Sequence, residues 1–514
     1  MTRRLVCFLV VLLCTAGMAS GVGVGVGIAH PDDPATPEPA SENSTAVQTT
    51  APSESDELGC VDGICHDDDL EFTDATALSE AELDTLVART KARVQYLRGE
   101  AFTDGVTVEV QSREAFRDSD IAAPARSDDE FERWNDQVWK GLFVVGDDQR
   151  SGDAIDGTVG EAVNGFYQPG ETRIVLITPS TEEPTVDEQT LLHEFAHAHQ
   201  DQHHDLTSPQ FRGETQDADL AVDGLVEGEA VYLEYQYEER CESGEWSCFD
   251  DPGTSGGSSD DLNRGILYTL LQPYSDGPAY VHDIVEREGW SGVDDRMDEP
   301  PETTTEIIHR EPTNASSVAS PPDGSEGWER YPDQGVDGAE TVGEASVFVM
   351  LWYQASEYGA DTVDPGILQE TSHPYEQLNY VADPSDGWAG DELVPYQRGD
   401  DDGYVWTIEW ESSDDVTEFT RAYGAILDAH DANETDSGVY IIENGSFSGA
   451  YAVETDDTQV RIVHAPTEAG LFEIDSSLDP TSVDHSPLED AVPGFGVAAS
   501  VAAVLTLALA CRRR

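Results

Sequence analysis

The chain has 514 residues, with 26 Lys and Arg against 105 Asp and Glu, which gives a formal net charge of −79. A nucleic-acid partner is not expected, because phosphate recognition needs a basic surface that this sequence lacks. The 9 Trp, 18 Tyr and 15 Phe are spread over most of the chain. We therefore predict a folded protein with a sizeable core and an acidic surface, rather than a disordered acidic chain.

The basic residues are almost all arginine, since Lys91 and Lys140 are the two lysines of the sequence. Dense carboxylates with so little lysine resemble the proteins of halophilic archaea, in which molar salt screens the repulsion between like charges. An acidic solvating protein from another source is the alternative, because net charge determines solubility and not fold.

The N-terminal segment 1–19 is predicted to be a secretory signal, with Arg3 and Arg4 before an apolar run that ends at Ala19. The paired arginines also resemble a twin-arginine signal, so general secretion and twin-arginine export both stay open. Residues 20–66 are acidic and rich in Pro, Ser and Thr, and we expect a flexible linker there.

An α+β domain is predicted for residues 67–400, followed by a small α+β unit at 401–475 and a stalk at 476–492. In the first domain, periodicity predicts helices at 79–97, 185–204, 217–239, 264–287 and 339–356, and strands at 105–110 and 173–177. The small unit is predicted to have a helix at 413–430 and strands at 438–443, 448–454 and 459–464. Capping boxes are expected at Ser79–Glu82 and at Thr185–Glu188.

The C-terminal segment 493–514 begins with Pro493-Gly494-Phe495, continues as a short apolar run and ends in three arginines. This pattern resembles the archaeal sorting signal of the PGF type, which is cut and replaced by a lipid; a marginal transmembrane helix is the alternative. Either anchor implies an extracellular protein attached to the outer face of the cell membrane.

Cysteine use and glycosylation sequons agree with that location. Two local disulfides, Cys60–Cys65 and Cys241–Cys248, are expected in an oxidising compartment, and a zinc cluster of these four cysteines is the alternative. Four sequons are candidates for N-glycosylation: Asn43, Asn314, Asn433 and Asn444.

The chemically informative motif is His193-Glu194-Phe195-Ala196-His197. On a helix, residues i and i+4 share a face, so His193 and His197 can present two imidazoles to one Zn²⁺. Glu194 lies beside them and can act as the general base for a water molecule that the ion activates. We expected strand 173–177, just upstream, to offer an edge for an extended substrate.

The third ligand is expected on the next helix, in Glu227-Gly228-Glu229-Ala230. Together the two motifs resemble the zincin metallopeptidases whose third ligand is a glutamate, and the chain looks like a haloarchaeal surface protein of this kind. The resemblance implies one Zn²⁺ per chain, held by His193, His197 and Glu227, and a zincin-like fold with long active-site helices. Glu229 points about 160° away from Glu227 on the helix and is the weaker ligand candidate.

His203 is the rival third ligand, six residues after His197. The glycine that turns the chain back in the corresponding zincin subgroup is replaced by Gln200, so we expect His203 to stay on the same helix. His199 and His204 are expected to be solvated residues at the helix end.

Supporting roles are assigned to residues around the expected site. Asp223, one turn before Glu227, is a candidate to orient a ligand histidine. His309, Tyr232 and Tyr235 are candidates to stabilise an oxyanion, with ordinary packing as the alternative for each.

The sequence therefore predicts a surface-anchored zinc metallopeptidase acting on peptide or protein substrates. A non-catalytic envelope protein that retains a zincin fold is the alternative, and a hydrolase of non-peptide amides is a third hypothesis.

Overall fold

The computed structural model describes residues 45–51, 57–117, 129–159, 164–250, 262–313, 315–321 and 324–481. The predicted signal and C-terminal segments, much of the linker, the end of the stalk and the sequons at Asn43 and Asn314 lie outside these residues. Over the described ranges the fold is α+β, as predicted. No helix within them has the length and hydropathy that a membrane-spanning segment requires.

The helices of the described residues include all six that the sequence predicts, together with others that it does not predict. They are α1 (Glu80–Arg98), α2 (Arg113–Arg117), α3 (Asp129–Gly141), α4 (Ser151–Val159), α5 (Glu188–His204), α6 (Gln216–Ser243), α7 (Arg264–Glu288), α8 (Trp290–Asp298), α9 (Thr304–His309), α10 (Gly343–Tyr353), α11 (Ser413–Ala429) and α12 (Glu468–Ile474).

The strands form two sheets and a hairpin. They are β1 (Thr45–Gln48), β2 (Cys60–Val61), β3 (Ile64–Cys65), β4 (Thr107–Ser112), β5 (Gly165–Gln168), β6 (Arg173–Thr178), β7 (Glu329–Arg330), β8 (Trp388–Arg398), β9 (Asp401–Trp410), β10 (Asn433–Glu434), β11 (Tyr440–Ile442), β12 (Gly449–Thr455) and β13 (Gln459–Ala465). One sheet has the order β1-β4-β6-β5, the other the order β10-β11-β12-β13-β9-β8-β7, and β2 pairs with β3.

The start of α5 is fixed by a buried charged cluster rather than by the predicted Thr185 cap. Asp187 is the N-cap and accepts hydrogen bonds from the first turn of the helix. Glu188 is instead buried, and its carboxylate accepts from Arg89 Nη2 at 2.9 Å and from Arg93 Nη1 at 2.7 Å. This ion pair joins α1 to α5, and the cap of α1 itself is the predicted Ser79–Glu82 box.

Two expectations about the four-stranded sheet are wrong. Strand β6 is not an edge, because it pairs parallel with β4 on one side and antiparallel with β5 on the other. Residues 45–48 were expected in the linker but form strand β1 beside β4, with Val47 buried. The buried Lys91 holds this segment, since its Nζ donates to Thr49 Oγ1 at 3.0 Å.

The C-terminal sheet extends beyond the predicted unit 401–475, because β8 and β7 pair onto it from earlier in the chain. Strand β8 contains Pro395, which has no backbone N–H to donate to a neighbouring strand. On the β7 side of β8, pairing occurs at Leu393 and again at Tyr396, so the missing N–H of Pro395 falls between the two. Residues 476–481, expected in the stalk, also dock here: Thr481 N donates to Val453 O at 2.7 Å.

Helix α3 lies against this sheet and contributes the second lysine. Lys140 is 5% exposed, and its Nζ donates to Asp147 Oδ1 at 2.7 Å. Both disulfides are formed as predicted, Cys60–Cys65 across the β2–β3 hairpin and Cys241–Cys248 at the end of α6. The sequon residues Asn433 and Asn444 are exposed.

Candidate metal centre

Helix α5 carries both histidines of the motif on one buried face. His193, Glu194 and His197 are each 0% exposed, and the Nε2 atoms of the two histidines lie 3.0 Å apart. The i, i+4 spacing of the helix produces this approach, as the sequence predicted. Leu191, Leu192 and Phe195 pack on the other side into the core and fix the rotation of α5.

Helix α6 brings Glu227 to the same point. Its Oε2 lies 3.1 Å from His193 Nε2 and 3.2 Å from His197 Nε2, and the carboxylate is 2% exposed. Zinc bonds of about 2.0–2.1 Å separate neighbouring ligands of a tetrahedron by about 3.3 Å. The three atoms are therefore spaced as zinc ligands after a small expansion, and their N, N, O donor set suits zinc.

His193 is oriented by Glu234, two helical turns after Glu227 on α6. The Nδ1 of His193 hydrogen-bonds Glu234 Oε1, and Glu234 Oε2 accepts from Gln189 Nε2 at 2.8 Å. This carboxylate selects the tautomer that leaves Nε2 as the metal-binding atom. The orienting role predicted for Asp223 is thus wrong for this histidine, and the residue that performs it is Glu234.

His197 is oriented by Gln200, one turn later on α5. The Nδ1 of His197 donates to Gln200 Oε1 at 2.9 Å, while Gln200 Nε2 donates to Val226 O at 2.9 Å and to Glu229 Oε2 at 3.2 Å. Glu229 in turn accepts from Arg98 Nε at 2.7 Å, and both of these side chains are buried. Glu229 is therefore engaged away from the centre, as the helix geometry predicted.

A close crossing of α6 and α7 positions a tyrosine over the centre. A Cβ on Gly228 would lie 2.5 Å from the carbonyl carbon of Gly277, and one on Gly277 would lie 2.3 Å from Gly224 O. These contacts explain the glycine beside the candidate ligand Glu227, because a larger residue would push the helices apart. Tyr274 of α7 lies with its ring parallel to that of His193, the centroids 6.4 Å apart.

Tyr274 is 3% exposed and was not predicted as a site residue. Burial, together with the Glu227 carboxylate to which its hydroxyl is hydrogen-bonded, raises its pKa well above the usual value. The hydroxyl therefore stays protonated and can donate a hydrogen bond at the centre. No local sequence pattern marks Tyr274 as a site residue, because its position depends on the glycine crossing.

The carboxylates of Glu227 and Glu234 and the imidazoles of His193 and His197 shift one another's pKa values. Burial alone would raise the pKa of Glu227, but His197 and His193 outweigh it and lower this pKa to about 2. Burial likewise opposes protonation of His193, but Glu234 and Glu227 raise its pKa well above the usual value. The group thus presents a carboxylate and two imidazoles to a cation, and metal binding must displace protons.

Comparison with known families gives one match. Residues 329–475 match a family described as Domain of unknown function (DUF8575). We call residues 329–475 the matched segment; it includes α10, the strands β7–β13 and none of the three candidate ligands. No curated protein matches the chain.

The other histidines of α5 face away from the candidate ligands. His203 remains on the helix, as predicted, and its Nε2 hydrogen-bonds Ala101 O at 3.0 Å, so it does not act as the third ligand here. His199 was expected to be solvated, but it is 2% exposed and its ring packs edge-on against Phe102. Burial lowers the pKa of His199 well below its usual value.

The predicted oxyanion-stabilising residues have other partners. His309 Nε2 lies 2.8 Å from Oε1 of Glu344, and Glu344 belongs to the matched segment. Tyr232 packs against His282 and Tyr375, and Tyr235 also packs against Tyr375. None of these contacts involves the candidate ligands, whereas Tyr274 contacts them directly.

Proposed function

We propose that this protein is a zinc-dependent hydrolase of peptide bonds. The observation that carries the proposal is the convergence of His193, His197 and Glu227, whose closest side-chain atoms lie 3.0–3.2 Å apart. The buried Glu194 directly follows His193 on the same helix. Bound Zn²⁺ would supply Lewis acidity and lower the pKa of a water molecule to about 7.

Side chains of the protein provide the general base, the oxyanion donor and the groups that orient the two imidazoles. Glu194 takes a proton from the attacking water and delivers it to the leaving amine, which is general acid–base catalysis by one carboxylate. Tyr274 donates a hydrogen bond to the oxygen on which negative charge develops. Glu234 and Gln200 hold the two imidazoles in the tautomer that leaves Nε2 without a proton.

Substrate access requires a conformational change in this proposal. His193, Glu194 and His197 are 0% exposed, and Tyr274 lies over the ring of His193. A peptide therefore reaches the centre only after a local opening that exposes Glu194 and leaves Tyr274 beside the candidate ligands. The same burial favours the alternative function, a non-catalytic surface protein in which the ion is purely structural.

Hydrolysis by two matched variants separates these functions. Glu194→Gln is expected to keep the Zn²⁺ held by His193, His197 and Glu227 and to lose peptide hydrolysis, because the ligands stay intact while the base is lost. Tyr274→Phe is expected to keep the ion and lower kcat about 10²-fold to 10³-fold, as for other oxyanion donors. The assay is cleavage of a fluorogenic peptide library by residues 30–492 in molar KCl.

Two results would contradict the proposal. Undiminished hydrolysis in Glu194→Gln would exclude this residue as the base. A wild-type protein that holds one Zn²⁺ but cleaves neither peptides nor simple amides would favour the non-catalytic surface protein.

A location outside the cell, attached to the membrane through a C-terminal lipid or helix anchor, is part of the proposal. The two local disulfides are compatible with an oxidising compartment. Mass spectrometry of the membrane-associated protein tests it, because a lipid-exchanged protein ends before or within 493–514 and a helix-anchored protein keeps those residues.

A further inference from the structure

A second group of metal-binding side chains lies where α9, α10 and the turn before β8 meet. It consists of His309, Glu344 and Asp386, and one ligand atom from each lies within 4.8 Å of the other two. His309 Nε2 is 2.8 Å from Glu344 Oε1 and 3.9 Å from Asp386 Oδ1. These separations bracket the spacing of about 3.3 Å between neighbouring ligands of a tetrahedral ion.

The carboxylate of Glu344 is not satisfied by the protein alone. Glu344 is 0% exposed, and its Oε2 is buried without a hydrogen-bond partner. A buried carboxylate needs a cation or several donors to offset the loss of its hydration. His309 donates to Oε1, and the Thr305 hydroxyl is a further hydrogen-bonding neighbour of the carboxylate.

Negative charge exceeds positive charge around this group. Asp386 adds a second carboxylate to that of Glu344. Burial raises the pKa of Asp276, a neighbouring acid on α7, well above its usual value, so Asp276 adds no charge. Arg310, which follows His309, forms an ion pair with Glu376, with Nη1 2.6 Å from Oε1. The excess of one carboxylate over the single imidazole of this group favours a bound cation.

We propose that His309, Glu344 and Asp386 bind a second divalent transition-metal ion. One imidazole and two carboxylates form a donor set that suits Zn²⁺ or Mn²⁺, whereas Ca²⁺ takes six to eight oxygen ligands. Asp386 is 57% exposed and leaves a path for the ion and for water as a further ligand. The buried Glu344 provides the fixed end of the site.

The ion would fasten two parts of the chain together. Glu344 and Asp386 belong to the matched segment, while His309 ends α9, which precedes it. The site is thus a metal clip between the helical part and the family-matched part. Its existence does not depend on the peptidase proposal, because it shares no residue with the first centre.

The experiment measures Zn²⁺ and Mn²⁺ binding by calorimetry and elemental analysis in molar KCl. The starting protein is the full chain carrying His193→Ala and His197→Ala, which removes the first centre. The full chain with both histidines intact is measured beside it, so that the second ion can also be counted if the double variant does not fold. Into it we add Glu344→Gln, or Asp386→Asn as the variant less able to disturb folding, because that side chain is exposed. His373→Gln is the matched control, since His373 lies in another His/Asp group, with His282 and Asp283.

We expect the starting protein to bind one ion per chain and to gain thermal stability from it, because an ion that binds only the folded state stabilises it. Glu344→Gln and Asp386→Asn are each expected to weaken binding at least tenfold, with His373→Gln unchanged. No binding by the starting protein would overturn the proposal and identify His309 as an imidazolium paired with Glu344. Loss of the ion in His373→Gln alone would assign it to the other group.

Discussion

Replacement of Glu234 tests how the protein prepares its first metal centre. Glu234→Gln keeps an oxygen that can accept from His193 Nδ1 but removes the negative charge that makes the imidazole a stronger ligand. Loss of such an outer partner weakens metal binding about 10-fold to 100-fold. That range corresponds to about 1.4–2.7 kcal/mol, because each tenfold change in a dissociation constant equals about 1.4 kcal/mol.

The structure provides a matched control for this variant. Glu238 lies one turn further along α6 and accepts from the same Gln189 Nε2, at 3.1 Å, but touches neither histidine. Glu238→Gln removes one charge from the same face, so its effect on zinc affinity should be less than twofold. Competition with a chromophoric chelator in molar KCl measures both variants against the wild type.

Two outcomes would refute the reasoning. One is wild-type zinc affinity in Glu234→Gln, which would mean that the hydrogen bond to Nδ1 has no influence on the ligand. The other is an equal loss in both variants, which would attribute the effect to total charge. A loss in Asp223→Asn instead of Glu234→Gln would restore the assignment made from the sequence.

Three further variants test the packing and charge around the centre. Gly228→Ala should destabilise the fold by about 2 kcal/mol in thermal unfolding, because its Cβ would overlap the backbone of α7; unchanged stability would mean that the crossing is loose. Burial raises the pKa of Asp217 to about 7, so the folded protein holds this proton more tightly than the unfolded chain does. The resulting contribution to the free energy of unfolding is complete below about pH 4 and is lost as the pH rises through 7. In Asp217→Asn, the decrease of the unfolding free energy between about pH 4 and 7 should therefore be smaller by about 2–4 kcal/mol, whereas the exposed Asp333→Asn should leave this decrease unchanged. Arg98→Gln leaves Glu229 buried without its cation and should cost about 3–5 kcal/mol in denaturant unfolding; a loss below 1 kcal/mol would show that water reaches the pair.

Local patterns were sufficient to predict much of this molecule. The cap at Ser79, the approximate extents of α6 and α7 and the i, i+4 histidines depend on residues close in sequence, so periodicity and capping reveal them. Glu227 was predicted because the ligand helix follows directly.

Residues whose roles depend on tertiary packing were missed. Glu188 resembled a capping residue until the structure placed Arg89 and Arg93 of a distant helix beside it. Glu234 could have been found, because it lies seven residues after Glu227 and shares its helix face. Tyr274 could not, since its approach depends on which glycines of two helices meet.

The burial of both lysines has a consequence for chemical labelling. Lys91 is 0% exposed and also donates to Asp104 O at 3.1 Å, while Lys140 is 5% exposed and bound to Asp147. Burial lowers the pKa of Lys91 to about 8, and this effect ends once solvent reaches the amine, so access of the reagent controls the labelling. Acylation of Lys91 therefore reports the detachment of β1 from the first sheet. Acylation of Lys140 reports the separation of α3 from the matched segment. Lys91 and Lys140 therefore report two separate local motions without an added label.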